Sequence, residues 1–289
     1  MAEWHGARRA AVLGHPVAHS LSPVLHRRAY RALELTDWRY ELHDVDEPDL
    51  DRFLDQMDQS WVGLSLTMPL KRRALQLVDV VQPLAQVTGA VNTIVFQPGG
   101  LSVGANTDVY GLVAALAEAT PQGVAPGMDV PRVVIVGGGA TAASALAAAG
   151  ELGNHRPVVL VRNPGRAGAV IRAAAAMGVE PQFLRLGTAP AREAMVSANV
   201  VMSTVPGAAS AALADLLRGT RLEARQVLLD VVYQDWPTAV GRAWQQAGGS
   251  VAPGHLMLLH QACEQVRLMT GQPAPVTQMR AALLEAIGA

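Results

Sequence analysis

The sequence predicts an α/β protein of two domains, and three observations support this. Its 289 residues exceed the length of one ordinary domain, which is roughly 100–200 residues. Short aliphatic runs alternate with amphipathic stretches, as in successive β–α units. A stretch rich in Pro and Gly at residues 120–131 separates two such series. Because 50% of the residues are hydrophobic and 4% aromatic, both domains can bury an aliphatic core.

Composition excludes several classes of protein. The formal net charge is −1, and the only dense basic run is residues 71–73, so no nucleic-acid partner is expected. A single cysteine, Cys263, excludes a disulfide framework and a multi-Cys zinc site. The histidine spacings are also poor for a metal, and none is expected. No apolar run reaches the length of about 18 residues that a membrane span needs. We expect a soluble, cytoplasmic protein that acts on a small molecule.

The first series predicts a mixture of strands and helices. Alternation of Trp38, Tyr40 and Leu42 with polar residues indicates a half-buried strand. Ser22 and Pro23 predict the N-cap and first turn of a helix. The expected elements are strands at residues 10–14, 38–43 and 62–66, helices at 22–35, 50–57 and 70–80, and a hairpin of 90–96 with 101–104.

The second series predicts a parallel sheet, because its strands are continuous apolar runs. A helix over residues 108–119 comes first. Strands are expected at 132–136, 157–161, 199–203 and 227–231, with helices between them. Two further helices are predicted at 255–270, ending at Gly271, and at about 276–287. These last two helices can belong to the first domain.

A glycine-rich sequence follows the strand at 132–136. Residues 137–142 are G-G-G-A-T-A and fit G-x-G-x-x-A between a strand and a helix. In this pattern the first glycine permits a tight turn, the second lets the backbone approach a pyrophosphate, and the small third residue allows close helix packing. The helix N-terminus adds N–H donors. The pattern predicts a dinucleotide site at Gly137, Gly138, Gly139, Ala140 and Thr141; a flexible turn is the alternative.

The end of the next strand indicates which nucleotide binds. NAD sites usually carry Asp or Glu there for the ribose 2′-hydroxyl. This chain has Arg162 and Asn163, with Arg166 close behind. Because a guanidinium fork suits a phosphate, we predict a 2′-phosphate site and hence NADP. Two solvated arginines are the alternative.

Four polar stretches in the first half are not explained by core packing. They are S-L-S-P at residues 20–23, S-L-T-M-P-L-K at 65–71, G-A-V-N-T at 89–93 and N-T-D-V-Y-G at 106–111. With them the chain resembles the shikimate dehydrogenase family, whose S-x-S-P, N-V-T-x-P-x-K, G-A-V-N-T and N-T-D-x-x-G motifs occur in this order. D-V-V-Y at 230–233, G-H-L-M-L at 254–258 and Gln261 extend the resemblance over about residues 10–271.

The resemblance implies NADP-linked interconversion of 3-dehydroshikimate and shikimate in aromatic amino-acid biosynthesis. It implies a substrate domain of residues 1–107 and 253–289, a Rossmann-type nucleotide domain of residues 108–252, and an active site in the cleft. Many members of the family are homodimers and some are monomers. Lys71 and Asp108 would be the catalytic pair. The implied carboxylate ligands are Ser20, Ser22 and Tyr233, the implied ring-hydroxyl ligands are Thr67, Asn92 and Gln261, and the cofactor site would also include Thr204, Gly254 and Met257.

The chemistry of ketone reduction independently suits Lys71, the only lysine in the chain. Hydride addition produces an alkoxide, and an ammonium beside that oxygen can donate the required proton. A carboxylate partner such as Asp108 raises a lysine pKa, whereas desolvation lowers it. Sequence does not decide between these effects. Lys71 could also be a surface lysine, and Asp108 could be the N-cap of the helix it begins.

Ser65 departs from the family pattern, which usually has Asn there. Serine is shorter and lacks the two donors of an amide, although it can reach a hydroxyl directly or through water. Quinate or another polyhydroxy-cyclohexane carboxylate therefore stays an alternative substrate. A nucleotide-binding sensor without catalytic activity is the alternative from another class, which the presence of Lys71 and Asp108 disfavours. Ser20 and Ser22 could also act only as helix caps.

Overall fold

The structure, a computed structural model, describes residues 6–120, 122–123, 130–234 and 236–288, without the side chain of Arg166. The chain divides into two compact units, Met1–Thr107 with Leu259–Ala289, and Asp108–Leu258. The predicted Pro/Gly-rich boundary at 120–131 falls inside the second unit and lies largely outside the described residues. None of the helices in the described ranges has the length and apolar character needed to span a bilayer.

The first unit is built on a six-stranded mixed sheet with the order β2-β1-β3-β5-β6-β4. Its strands are β1 Arg8–Gly14, β2 Trp38–Asp44, β3 Trp61–Leu66, β4 Val80–Val81, β5 Thr93–Phe96 and β6 Ser102–Ala105. Its helices are α1 Ser22–Ala32, α2 Leu50–Asp55, α3 Pro83–Thr88 and α11 Val276–Ile287, together with most of α10, Gly254–Thr270. β1 is parallel to β2 and β3, and β5 is antiparallel to β3 and β6.

Two predicted helices of this unit are corrected by the structure. Residues 70–80 are not a helix: they form turns around a short 3-10 segment, Arg73–Gln76, and then β4. Their apolar spacing reflects packing of Leu70 and Ala74 into the core, while the Lys71 carbonyl accepts from the backbone N–H of Val91. The helix predicted at 22–35 ends at Ala32, and its N-cap is Leu21, without a side-chain cap bond.

The second unit contains a six-stranded parallel sheet with the order β12-β11-β10-β7-β8-β9. The strands are β7 Val133–Val136, β8 Val158–Val161, β9 Gln182–Arg185, β10 Val200–Ser203, β11 Val227–Asp230 and β12 Ser250–Pro253. The helices are α4 Asp108–Ala119, α5 Ala140–Glu151, α6 Gly168–Met177, α7 Ala189–Ser197, α8 Ser210–Asp215 and α9 Ala239–Gln246. The order runs outward in both directions from the β7–β10 pair, as in a dinucleotide-binding fold, with the ligand crevice expected beside that pair.

The predicted α/β fold, with an N-terminal α/β unit followed by a Rossmann-type unit, is confirmed. The central strands β7, β10 and β11 are buried at every residue, which explains why their continuous apolar runs identified them. β9 and β12 were not predicted. β9 is an edge strand whose end residues are exposed, and its sequence therefore carries no continuous apolar run.

Candidate active site

The first three polar motifs, and Asn106 and Thr107 of the fourth, lie at one edge of the first sheet. β1 and β3 are parallel, so the residues that follow Gly14 and Leu66 leave the same edge. β5 runs in the opposite direction and begins at that edge, where Thr93 pairs with Ser65. Thr93 also pairs with Ala105, so β6 ends there. The topology thus places four loops together that are far apart in the sequence.

Backbone hydrogen bonds fix the segment that carries Thr67. The Thr67 N–H donates to the Leu13 carbonyl over 2.9 Å, and the His15 N–H donates to the Met68 carbonyl over 3.0 Å. Gly14 makes this approach possible, since a Cβ there would lie 2.3 Å from Thr67 Cγ2. Thr67 is half-buried.

Asn92 is held by several hydrogen bonds and is only 1% exposed. Its Oδ1 accepts from the Thr107 backbone N–H over 2.7 Å and from Thr93 Oγ1 over 2.9 Å. Its Nδ2 donates to Thr107 Oγ1 over 2.9 Å. Because a backbone N–H can only donate, the orientation of the Asn92 amide is determined.

Ser20 and Ser22 lie at the start of α1. Ser22 is buried, and its side chain lies beside the hydroxyl of Tyr40. Ser20 Oγ accepts from the backbone N–H of Ser22 over 3.3 Å. Ser22 is therefore not the side-chain cap of α1, whereas Ser20 satisfies one backbone donor near its start. The carboxylate role of both serines stays a prediction.

The residues predicted as the catalytic pair belong to different units. Lys71 is half-buried in the first unit, and its carbonyl accepts from the Val91 N–H over 2.8 Å, next to Asn92. Asp108 is 3% exposed and is the first residue of α4 in the second unit. Their pairing stays a prediction.

Ser65 is buried in a hydrogen-bond network that sequence reasoning missed. Tyr40 Oη donates to Ser65 Oγ over 2.7 Å, and Ser65 Oγ donates to Gln265 Oε1 over 2.8 Å. The sequence contains one weak indication for each partner. Tyr40 occupies a buried position in the alternating pattern of its strand, and Gln265 lies one helical turn after Gln261, which is 7% exposed. Neither signal indicates a contact with residue 65.

The glycine turn after β7 meets the end of β10, at the crevice expected from the sheet order. The Thr204 N–H and Oγ1 both donate to the Val136 carbonyl over 2.9 Å. A Cβ on Gly137, whose φ is +131°, would lie 2.2 Å from Thr204 Oγ1. A Cβ on Gly139 would meet no atom within 4 Å, so the turn leaves open space at the N-terminus of α5. Gly138 is exposed there, and Ala140 and Thr141 form the first turn of α5. This arrangement fits a pyrophosphate.

The end of β8 places Arg162 and Asn163 at the same edge of the second sheet. Arg162 is exposed. Asn163 Oδ1 accepts from the Gly165 N–H over 3.0 Å and caps the short 3-10 turn Pro164–Arg166. The predicted role of the Arg166 side chain lies outside the described residues. An exposed guanidinium at this strand end fits a 2′-phosphate.

The remaining predicted residues lie near the end of β11 and the start of α10. Tyr233 is half-buried, and burial raises the pKa of its phenol. A Cβ on Gly254 would lie 2.6 Å from the Asp230 carbonyl oxygen, so only glycine permits this close approach. Met257 is 7% exposed in the first turns of α10. Within the described part of the chain, no group of three His, Cys, Asp or Glu could hold a metal.

Comparisons with known proteins identify the family to which the chain belongs. The family profile described as "Shikimate dehydrogenase substrate binding domain" matches residues 12–94, and "Shikimate 5'-dehydrogenase C-terminal domain" matches residues 254–284. Shikimate dehydrogenase (NADP(+)) of Methanosarcina barkeri is 32% identical, with 96% of this chain and 97% of that protein covered. The chain belongs to the shikimate dehydrogenase family.

Solved structures of shikimate dehydrogenases and their relatives share the fold. Shikimate dehydrogenase from Mycobacterium tuberculosis is 36% identical with a TM-score of 0.85, and the match covers 96% of this chain and 99% of that one. Quinate dehydrogenase from Corynebacterium glutamicum, in complex with NAD, is 26% identical with a TM-score of 0.84, covering 97% and 100%. The family resemblance predicted from the ordered motifs is confirmed.

Proposed function

We propose that this chain catalyses the reversible, NADPH-dependent reduction of 3-dehydroshikimate to shikimate. The observation that carries the proposal is that three polar motifs, with Asn106 and Thr107 of the fourth, meet at one edge of the first sheet. The chain is also similar over nearly its whole length to a shikimate dehydrogenase (NADP(+)). Hydroxyl, amide and ammonium groups lie along that edge, and these are the groups that bind a polyhydroxylated carboxylate.

The chain's own residues would bind the substrate and move one proton. Ser20 and Ser22 would donate to the carboxylate, and Thr67 and Asn92 would bind ring hydroxyls. When bound, NADPH supplies the hydride that reaches the carbonyl carbon. The Lys71 ammonium would donate its proton to the carbonyl oxygen and regain one from water, so that the product is the neutral alcohol.

The nucleotide would be held in the second unit. Backbone N–H groups of the glycine turn and the first turn of α5 would bind the pyrophosphate. Arg162 would bind the 2′-phosphate that distinguishes NADP from NAD. Location in the cytoplasm and assembly as a homodimer stay predictions from the cysteine content and from the family.

A panel of substrates and cofactors tests the proposal directly. Purified protein is mixed with 3-dehydroshikimate or 3-dehydroquinate and with NADPH or NADH, and the decay of cofactor absorbance is followed. The highest kcat/KM is expected for 3-dehydroshikimate with NADPH. A preference for 3-dehydroquinate with NADH would instead assign the quinate activity, to which the fold similarity with quinate dehydrogenase points. Cofactor binding without turnover of any substrate would favour a sensor.

A further inference from the structure

A buried chain of hydrogen bonds lies beneath the polar edge of the first unit. It begins at Tyr40, which is 2% exposed, and passes through Ser65 to Gln265, which is 1% exposed. The donor and acceptor atoms are 2.7 Å apart at the first step and 2.8 Å apart at the second. β2, β3 and α10 thereby share one polar network in the core of the first unit.

The network continues from Gln265 to Asn92. Gln265 Nε2 donates to Thr93 Oγ1 over 3.0 Å, and Thr93 Oγ1 donates to Asn92 Oδ1 over 2.9 Å. Gln265 Nε2 also faces the backbone carbonyl of Asn92 at 3.4 Å, and a carbonyl can only accept. This contact determines which end of the Gln265 amide is the donor, and the chain of donors therefore runs in one direction.

The direction of these hydrogen bonds limits the kind of hydrogen bond that Ser65 can make to a ligand. A serine hydroxyl has one proton and two lone pairs. Its proton is directed to Gln265 and one lone pair accepts from Tyr40. Ser65 can then accept a hydrogen bond from a substrate hydroxyl but cannot donate one, whereas the amide usual at this position in the family can donate two.

Tyr40 also lies beside two parts of the predicted substrate site. Its hydroxyl donates to Ser65 at the end of β3 and lies beside the side chain of Ser22 at the start of α1. Its ring stacks on His26 with a centroid separation of 4.0 Å and an interplanar angle of 16°. The phenol is thus held by stacking on His26 and by its hydrogen bond to Ser65.

We propose that Tyr40 and Gln265 are positioning residues for the substrate, because together they hold Ser65 and Asn92 at fixed separations and in fixed donor or acceptor states. Tyr40 fixes the position and the acceptor state of the Ser65 hydroxyl. Gln265 links Ser65 to Asn92. This inference rests on the proposed function.

The first test replaces Tyr40 with phenylalanine, which removes the hydroxyl and keeps the stacked ring. The KM for 3-dehydroshikimate is expected to rise about tenfold, the order expected for loss of a buried hydrogen bond. The KM for NADPH should change less than about twofold, and kcat should change much less than the substrate KM. A lower melting temperature with an unchanged substrate KM would overturn the proposal.

Tyr30→Phe is the matched control. Tyr30 is also 2% exposed, and its hydroxyl faces His26 Nδ1 at 3.4 Å rather than Ser65. It should reduce thermal stability and leave the substrate KM within about twofold. If Tyr30→Phe and Tyr40→Phe raised the KM equally, the effect would be general loss of core stability and the proposal would fail.

A double-mutant cycle tests the coupling to Ser65. Because Tyr40 acts partly through Ser65, the KM increase in Tyr40→Phe/Ser65→Ala should be smaller than the product of the two single increases. Independent, multiplying effects would contradict the mechanism. If the wild-type protein showed no turnover, the proposed function would be refuted. That result differs from the outcomes above, which concern only the positioning role of Tyr40 and Gln265.

Gln265→Glu keeps a test available if Tyr40→Phe does not fold. The change replaces the Nε2 donor with a carboxyl group that can donate to Thr93 only when it is protonated. The ratio of the variant KM to the wild-type KM should therefore fall as the pH is lowered from about 8 to about 6, since burial favours the protonated carboxyl. A ratio independent of pH would contradict the role of Gln265.

Discussion

Acid should destabilise the first unit through His26, which lies beside Tyr40 and Gln265. His26 is fully buried, and its Nε2 is 3.2 Å from Gln265 Oε1, which can only accept. Burial lowers the pKa of its imidazole from 6.5 to about 4. The folded state therefore holds His26 neutral at pH values where the unfolded chain already binds a proton.

The sign and size of the effect follow from proton linkage. The stabilisation is fully present above about pH 6.5 and is lost progressively as the pH falls towards the folded pKa of about 4. Between about pH 7.5 and pH 5, these two pKa values correspond to a loss of about 2 kcal/mol in the free energy of unfolding. The half-buried His43 on β2 provides a control in the same unit.

Urea unfolding at the two pH values measures the effect in wild type, His26→Gln and His43→Gln. The loss of unfolding free energy on acidification should be about 2 kcal/mol smaller in His26→Gln than in wild type. Equal losses in those two proteins would refute the reasoning. An NMR titration of the His26 ring in the folded wild type gives an independent check, and a midpoint near 6.5 would contradict the argument from burial.

Three further predictions concern the site itself. Lys71→Arg keeps the positive charge but cannot readily exchange a proton, so kcat in the steady-state assay should fall about 10²–10⁴-fold with a smaller change in substrate KM; near-normal kcat would assign Lys71 an electrostatic role only. Arg162→Ala should weaken NADPH binding by about 1–3 kcal/mol in calorimetry and leave NADH binding unchanged, and equal losses would show that Arg162 does not contact the 2′-phosphate. Replacing Ser20 and Ser22 together with alanine should raise the substrate KM and leave NADPH binding unchanged; a fall in melting temperature alone would indicate a purely structural role.

Local patterns in the sequence were sufficient for most of the second unit. Strands that are buried on both faces must be continuously apolar. The turn after β7 must contain glycine at residue 137, because a Cβ there would lie 2.2 Å from Thr204 Oγ1. The same kind of argument was wrong for residues 70–80, where apolar spacing predicted a helix. In the structure, this segment packs against the core, and the Val91 N–H donates a hydrogen bond to the Lys71 carbonyl. These contacts explain the apolar spacing without a helix.

The sequence by itself determined the α/β class, the glycine turn and the ordered motifs that identify the family. Only the tertiary structure decided which of these motifs meet, because the meeting depends on strand order and direction. It also decided the state of Ser65, whose partners Tyr40 and Gln265 lie 25 and 200 residues away along the chain. Hydrogen bonds between such distant residues leave no periodicity or local motif, since the partners are brought together only when the sheet and α10 have packed.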